Sequence, residues 1–215
     1  MALSTYRTET RRLLHDANAR FWSNSQLDDY INEARRQVAC DTHCLRSLET
    51  INFVANTETY AVATLTSKAE RCVDILNITL IYGNQRIPLF WCAWTDFNAK
   101  FRVWQTNTNR PAAFSLYGMV PMATLYVQPV PNTAYTAEAD ICYVPIPLVD
   151  DSTVDEIVYP CTKPVAFYAA HLAKYSEQSY GEAQTFLVDY ARKALECINT
   201  YTRRVPSAYA EGGGI

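Results

Sequence analysis

The chain has 215 residues, a formal net charge of −3 and a pI near 5.6. Hydrophobic residues make up 49% and charged residues 19%, enough apolar material for a folded core, which excludes an intrinsically disordered chain. The mildly acidic balance lacks the basic surplus needed to grip nucleic acid, so a duplex passing nearby would be repelled rather than held.

The opening MALSTYRTETRRLL is charged and lacks the apolar stretch of a secretory signal. No run approaches the roughly 18 apolar residues of a membrane span. A chain made and kept in a cytoplasm, without membrane contact, is expected. Leu3, Tyr6, Leu13, Leu14 and Ala17 form one apolar stripe and predict a first helix, with Ser4 available as its cap. Asn18 to Trp22 then turn the chain into FWSNSQLDDYINEA. Ser23 with Gln26 three residues on is a capping box, and Trp22 with Leu27 is placed to form a hydrophobic staple. Leu27, Tyr30, Ile31, Ala34 and Val38 continue the helical spacing to about Ala39, so residues 1–47 read as a helical hairpin.

From about Leu48 the apolar period becomes two. LETINFVA and TYAVATL alternate, and CVDILNITLIYGNQRIPLF reads as strand, Gly-Asn turn, strand. TDFNAKF predicts one or two helical turns opened by Thr95. AFSLYG, ATLYVQPVP and AYTAEADICYVPIPL are further strands, with Pro129, Pro131, Pro145 and Pro147 at strand ends or edges, where a missing N–H does least harm. Residues 48–158 therefore predict an antiparallel sandwich or barrel.

Helices return after Pro160, with Pro164 suited to a first turn. Val165, Tyr168, Leu172 and Tyr175 share a face, and Ala166, Ala169, Ala170 and Ala173 permit close helix approach. Ser179-Tyr180-Gly181 breaks the chain. Leu187, Tyr190, Ala191, Ala194, Ile198 and Tyr201 form the seam of a last helix, and Arg203 and Arg204 offset its dipole. The end, VPSAYAEGGGI, carries three of the six glycines and no periodicity, as expected of an extended tail. The fold expected is α+β. Residues 1–47 and 159–204 build a helical bundle, 48–158 form an inserted β-domain, and 205–215 form the tail.

Chemistry is sparse. The seven cysteines are odd in number, evenly spread and without a C-x-x-C pair, so they read as small buried hydrophobes rather than a disulfide framework or zinc ribbon. Cys40, His43 and Cys44 lack a fourth metal ligand nearby. Asp150, Asp151, Asp155 and Glu156 read as an acidic linker capping the next helix rather than as hydrolytic carboxylates. His171, among alanines, reads as a packing residue. No nucleophile elbow, Walker loop or dinucleotide fingerprint occurs, so neither an enzyme nor a cofactor is expected. Aromatic residues are the unusual feature. Tyr82, Phe90, Trp91, Trp94, Phe97, Phe101, Trp104, Phe114, Tyr117 and Tyr126 crowd the β-region. Core packing explains many of them. Trp91, Trp94 and Trp104 are candidates for a protein–protein surface or, alternatively, a glycan-holding groove.

Phe21-Trp22-Ser23, Gln26-Leu27 and Tyr30-Ile31-Asn32-Glu33-Ala34 together resemble the second-helix signature of bacteriophage head–tail adaptor proteins. Asn109-Arg110-Pro111 before Phe114-Ser115-Leu116-Tyr117-Gly118 is similar to a later step of that family. So are Leu125 to Pro131, and Tyr143 to Leu148 with Asp150, Asp151 and Thr153. The likeness runs from Leu3 to about Tyr201. Tyr60-Ala61-Val62-Ala63 lacks the family's proline, and Val154-Asp155 replaces a Thr-Pro-Glu type step. The resemblance implies a homo-oligomeric ring, usually dodecameric, at the head–tail junction of a virion assembled in the host cytoplasm. It implies that Val205, Pro206, Ser207, Ala208, Tyr209, Ala210 and Glu211 belong to a tail that binds the portal protein. The β-domain loops would then face the next tail or nozzle protein, and DNA would pass through the ring without specific binding. Another neck component, such as a nozzle or tail-completion protein, shares most of these features.

Overall fold

The computed structural model describes residues 1–65, 67–101 and 107–202. In chain order the elements begin with α1 (Leu3–Leu13), α2 (Asn24–Thr42), β1 (Arg46–Phe53), β2 (Thr59–Ala61) and the single turn α3 (Val62–Leu65). Then come β3 (Cys72–Tyr82), β4 (Gln85–Pro88), β5 (Phe90–Trp91), α4 (Trp94–Lys100) and β6 (Thr108–Asn109). The rest are β7 (Ala113–Tyr117), β8 (Thr124–Gln128), β9 (Val130–Pro131), β10 (Tyr135–Tyr143), α5 (Lys163–Ser176) and α6 (Tyr180–Thr202). The chain divides into two compact units. One joins Met1–Leu45 to the described residues from Val144 onward, and the other is Arg46–Tyr143.

In the helical unit, α5 packs against α1, α2 and α6. Its buried Ala166, Ala169, Ala170 and Ala173 keep side chains short where three neighbours converge. The start of α2 follows the local sequence. The Ser23 Oγ accepts from the Gln26 N–H at 3.2 Å, and the Gln26 Oε1 accepts from the Ser23 N–H at 3.1 Å. Trp22 and Leu27 are both buried there. The helix continues past Ala39 to Thr42, where His43 closes it in the left-handed conformation, φ 50°.

Several local expectations fail. Ser4 is not the cap of α1: Ala2 holds that position, and the Ser4 hydroxyl donates instead to the Asp151 carbonyl at 3.2 Å. The second chain break falls at Glu177–Ser179, and Tyr180 and Gly181 already belong to α6. Cys161 and Cys197 are joined by a disulfide, although cysteine spacing suggested none. They lie 36 residues apart and meet only because α5 and α6 pair. Residues 144–158, expected within the β-domain, group with the helices.

In the β-unit, one sheet has the order β1-β10-β3-β4 and is antiparallel throughout. A second has the order β2-β8-β7-β5, with β5 parallel to β7, and β6 pairs with β9. Alternation sends Ile51, Phe53, Ile78, Leu80, Ala137 and Ile141 of the first sheet into one apolar cluster with Phe114, Leu125 and Val127 of the second. The other face of the first sheet carries Arg46 paired to Asp140 and Arg86 to Glu138, with Leu48 exposed beside Asp140. No barrel closes among the described residues. Gly83 takes φ 57° in the turn between β3 and β4, as the Gly-Asn pair suggested. TYAVATL departs from expectation: only Thr59–Ala61 is strand, and the chain then coils into α3.

Candidate functional site

A buried polar constellation lies inside the helical unit. Arg35 of α2 and Asp155 have side chains 1% and 0% exposed. Asp155 Oδ2 accepts from Arg35 Nε at 3.0 Å and from the Tyr6 hydroxyl at 2.7 Å. Its Oδ1 accepts from Arg35 Nη2 and from the Ile157 N–H at 3.1 Å. Arg35 Nη1 also donates to the Ile146 carbonyl at 2.9 Å. One turn earlier, Asn32 bonds Leu148 in both directions, at 3.0 and 2.8 Å. Burial, reinforced by the Asp155 charge, pushes the Tyr6 hydroxyl far above its ordinary pKa, so it remains a donor. Every member is engaged, and the arrangement fixes the path of residues 146–157 against α2 and α1.

A second network organises the α1–α2 turn. Asp16 accepts from the backbone N–H groups of Arg20 at 2.8 Å and Trp22 at 3.1 Å, and from Arg11 at 2.9 Å. Burial raises the Asp16 pKa, but these backbone donors and the Arg11 charge outweigh it and hold the carboxyl below its usual range. Arg7 pairs with Asp28 of α2 and with Asp151.

The acidic cluster does not cap the next helix, as its position in the sequence suggested. The first turn of α5 follows Thr162, whose side chain makes no capping bond. Asp155 is buried against Arg35, Asp151 pairs with Arg7, and Glu156 accepts from the Ile146 N–H at 2.9 Å. His171 Nδ1 lies 2.9 Å from the Ala183 carbonyl and ties α5 to α6. Cys44 is buried and its neighbour His43 serves as the end of α2. No group of three or more His, Cys, Asp and Glu side chains with metal-holding geometry occurs among the described residues. No described helix is long and apolar enough to cross a membrane.

What remains for recognition is exposed apolar surface. In the β-unit, Met119 and Met122 are 87% and 84% exposed in the β7–β8 connection, beside exposed Tyr117. Phe90 and Trp91 are exposed on β5. Trp94 is half-buried, with its ring 4.9 Å from Tyr117 and 4.5 Å from Tyr126, so its faces are largely used within the unit. Trp91 and Trp94 are neighbours in sequence, but Trp91 does not join that ring cluster. Trp104 and residues 205–211 lie outside the described residues. The two methionines have no aromatic character to mark them in the sequence. Their signal was Gly118-Met119-Val120-Pro121-Met122, where apolar side chains stand inside turn punctuation with no strand to bury them.

These features suit a protein that recognises other proteins through surfaces. No curated protein matches the chain. The family described as SU10 adaptor protein matches residues 1–210, across both compact units. The chain therefore belongs to the SU10 adaptor protein family and is a phage structural adaptor.

Proposed function

We propose that this chain is the head-to-tail adaptor of a virion neck, forming a ring that joins the portal to the tail and lets DNA pass. The observation that carries the reading is the adaptor-family match over residues 1–210. The build supports it. A bundle drawn from both ends of the chain suits a ring wall, because each copy must repeat the same angles for the ring to close. Residues 205–215 act as the portal-binding arm, and the β-unit presents Met119, Met122 and Trp91 to the next tail or nozzle protein. Twelve copies surround a channel whose acidic chain does not hold the duplex.

Deleting residues 205–215 tests the arm. Docking to portal-bearing capsids is expected to vanish while the melting temperature stays unchanged, and undiminished docking would remove the role given to the tail. An image of the virion neck averaged about its axis reads the subunit number directly.

A further inference from the structure

The adaptor reading assigns no role to the bond between Cys161 and Cys197. Both are fully buried, their Cα atoms are 5.0 Å apart, and they join the residue before Thr162 and α5 to the last turns of α6. Beyond Cys197, α6 runs only to Thr202 before residues 203–215. Next to the bond, Lys163 lies over the Tyr159 ring at 4.8 Å. A cytoplasm keeps thiols reduced, so a chain made there carries two thiols where this structure has a bond.

We propose that Cys161 and Cys197 form a lock, open as a dithiol at synthesis and closed on leaving the reducing compartment, which clamps the end of α6 to the start of α5 at the root of the C-terminal segment. The proposal rests on the adaptor reading only for the compartment of synthesis and for the role of that segment. The closing chemistry is thiol–disulfide exchange with a small-molecule disulfide such as oxidised glutathione. One cysteine thiolate attacks a glutathione sulfur and expels one glutathione thiolate. The second cysteine then attacks the mixed disulfide and expels the other. The protein gives up two electrons, oxidised glutathione becomes two thiols, and the two cysteine protons end on them.

Burial pushes Cys72 up to about 11 and Cys142 up to about 12, and raises Cys40 and Cys44 as well, so little thiolate is present at any of those four. What sets Cys161 and Cys197 apart is their pairing geometry, with Cα atoms 5.0 Å apart. Exchange at the 161–197 pair requires the last turns of α6 to open, and once formed the bond is shielded from reductants. Tension on residues 203–215 is then carried by α5 as well as by α6.

The test uses the full chain, reduced and then incubated with oxidised glutathione. After denaturation and alkylation without reductant, the mass is expected to show seven alkyl groups before oxidation and five after, with one peptide pair joining Cys161 to Cys197. Closing a loop of this length is expected to raise the melting temperature by at least about 5 °C. Amide exchange in residues 198–202 should slow. A C161A/C197A variant should melt like the reduced chain and ignore the oxidant. Seven alkyl groups after oxidation, a different pairing, or unchanged exchange at the end of α6 would overturn the lock. Portal docking is measured separately. Its loss with the bond intact would count against the adaptor reading alone.

Discussion

Arg35 and Asp155 stand where an unpaired charge would be intolerable, and each is held there by the other. Asp155→Ala leaves the Arg35 guanidinium buried without its carboxylate and should lower stability by about 3–5 kcal/mol in chemical denaturation. The double variant Arg35→Met/Asp155→Leu should lose much less, since it removes both desolvated charges together. Asp16 makes a pH-dependent case. Its folded pKa is depressed, so its contribution is fully present above the unfolded carboxyl value of about 3.9 and is lost as pH falls through the folded value. Asp16→Asn should therefore flatten the decline in melting temperature below about pH 4, while leaving the shape of the curve near neutrality unchanged. A decline identical to that of the unmodified chain would show that the turn does not depend on the carboxylate. Neither role could be read from the sequence. Asp155 stood among four acidic residues of equal appearance, and what distinguishes it is Arg35, 120 residues away.

At the scale of elements, the start of α2 is the clearest case of local determination. Ser23 and Gln26 are three residues apart, their reciprocal bonds need no distant partner, and the structure contains both. Ser23→Ala should lower stability by about 1 kcal/mol. Ring yield should fall further than the melting temperature does, because a loosened helix start blurs an angle that every copy must repeat. A ring yield unchanged in particle counts would contradict this. Elements fixed by distant pairing were less legible. TYAVATL alternates well enough for a seven-residue strand, yet only three residues pair with β8, and the Val62 N–H turns to the Ala123 carbonyl as α3 begins. Ser4 looked like a cap because serine favours that position, but the Asp151 carbonyl draws its hydroxyl elsewhere. The Cys161–Cys197 bond was invisible for the same reason: spacing along the chain carries no record of which helices pair. Met119 and Met122 are hard to read for a different reason: a flexible thioether carries no aromatic signature, although such side chains suit adaptable protein surfaces.

The whole molecule is a helical unit interrupted by a β-unit, and the ends of the interruption lie side by side. Arg46 pairs with Cys142 across β1 and β10, so the chain leaves the helical unit and returns to it through neighbouring strands. A short glycine-serine bridge can therefore replace residues 46–143 without stretching the backbone. The apolar cluster of the β-unit draws its members from Ile51 to Ile141, and the Arg35–Asp155 pair lies wholly within the helical unit, so excision cuts neither. The bridged chain should melt cooperatively, and Asp155→Ala should still destabilise it strongly. If the proposed division of labour holds, it should keep portal docking and lose capture of the tail-side partner. The double substitution Met119→Ser/Met122→Ser in the full chain should reproduce only the second loss, with stability within about 0.5 kcal/mol of the parent because both side chains are already in water. Docking lost on excision, with the helical unit still folded, would place portal recognition in the β-unit rather than in residues 205–215.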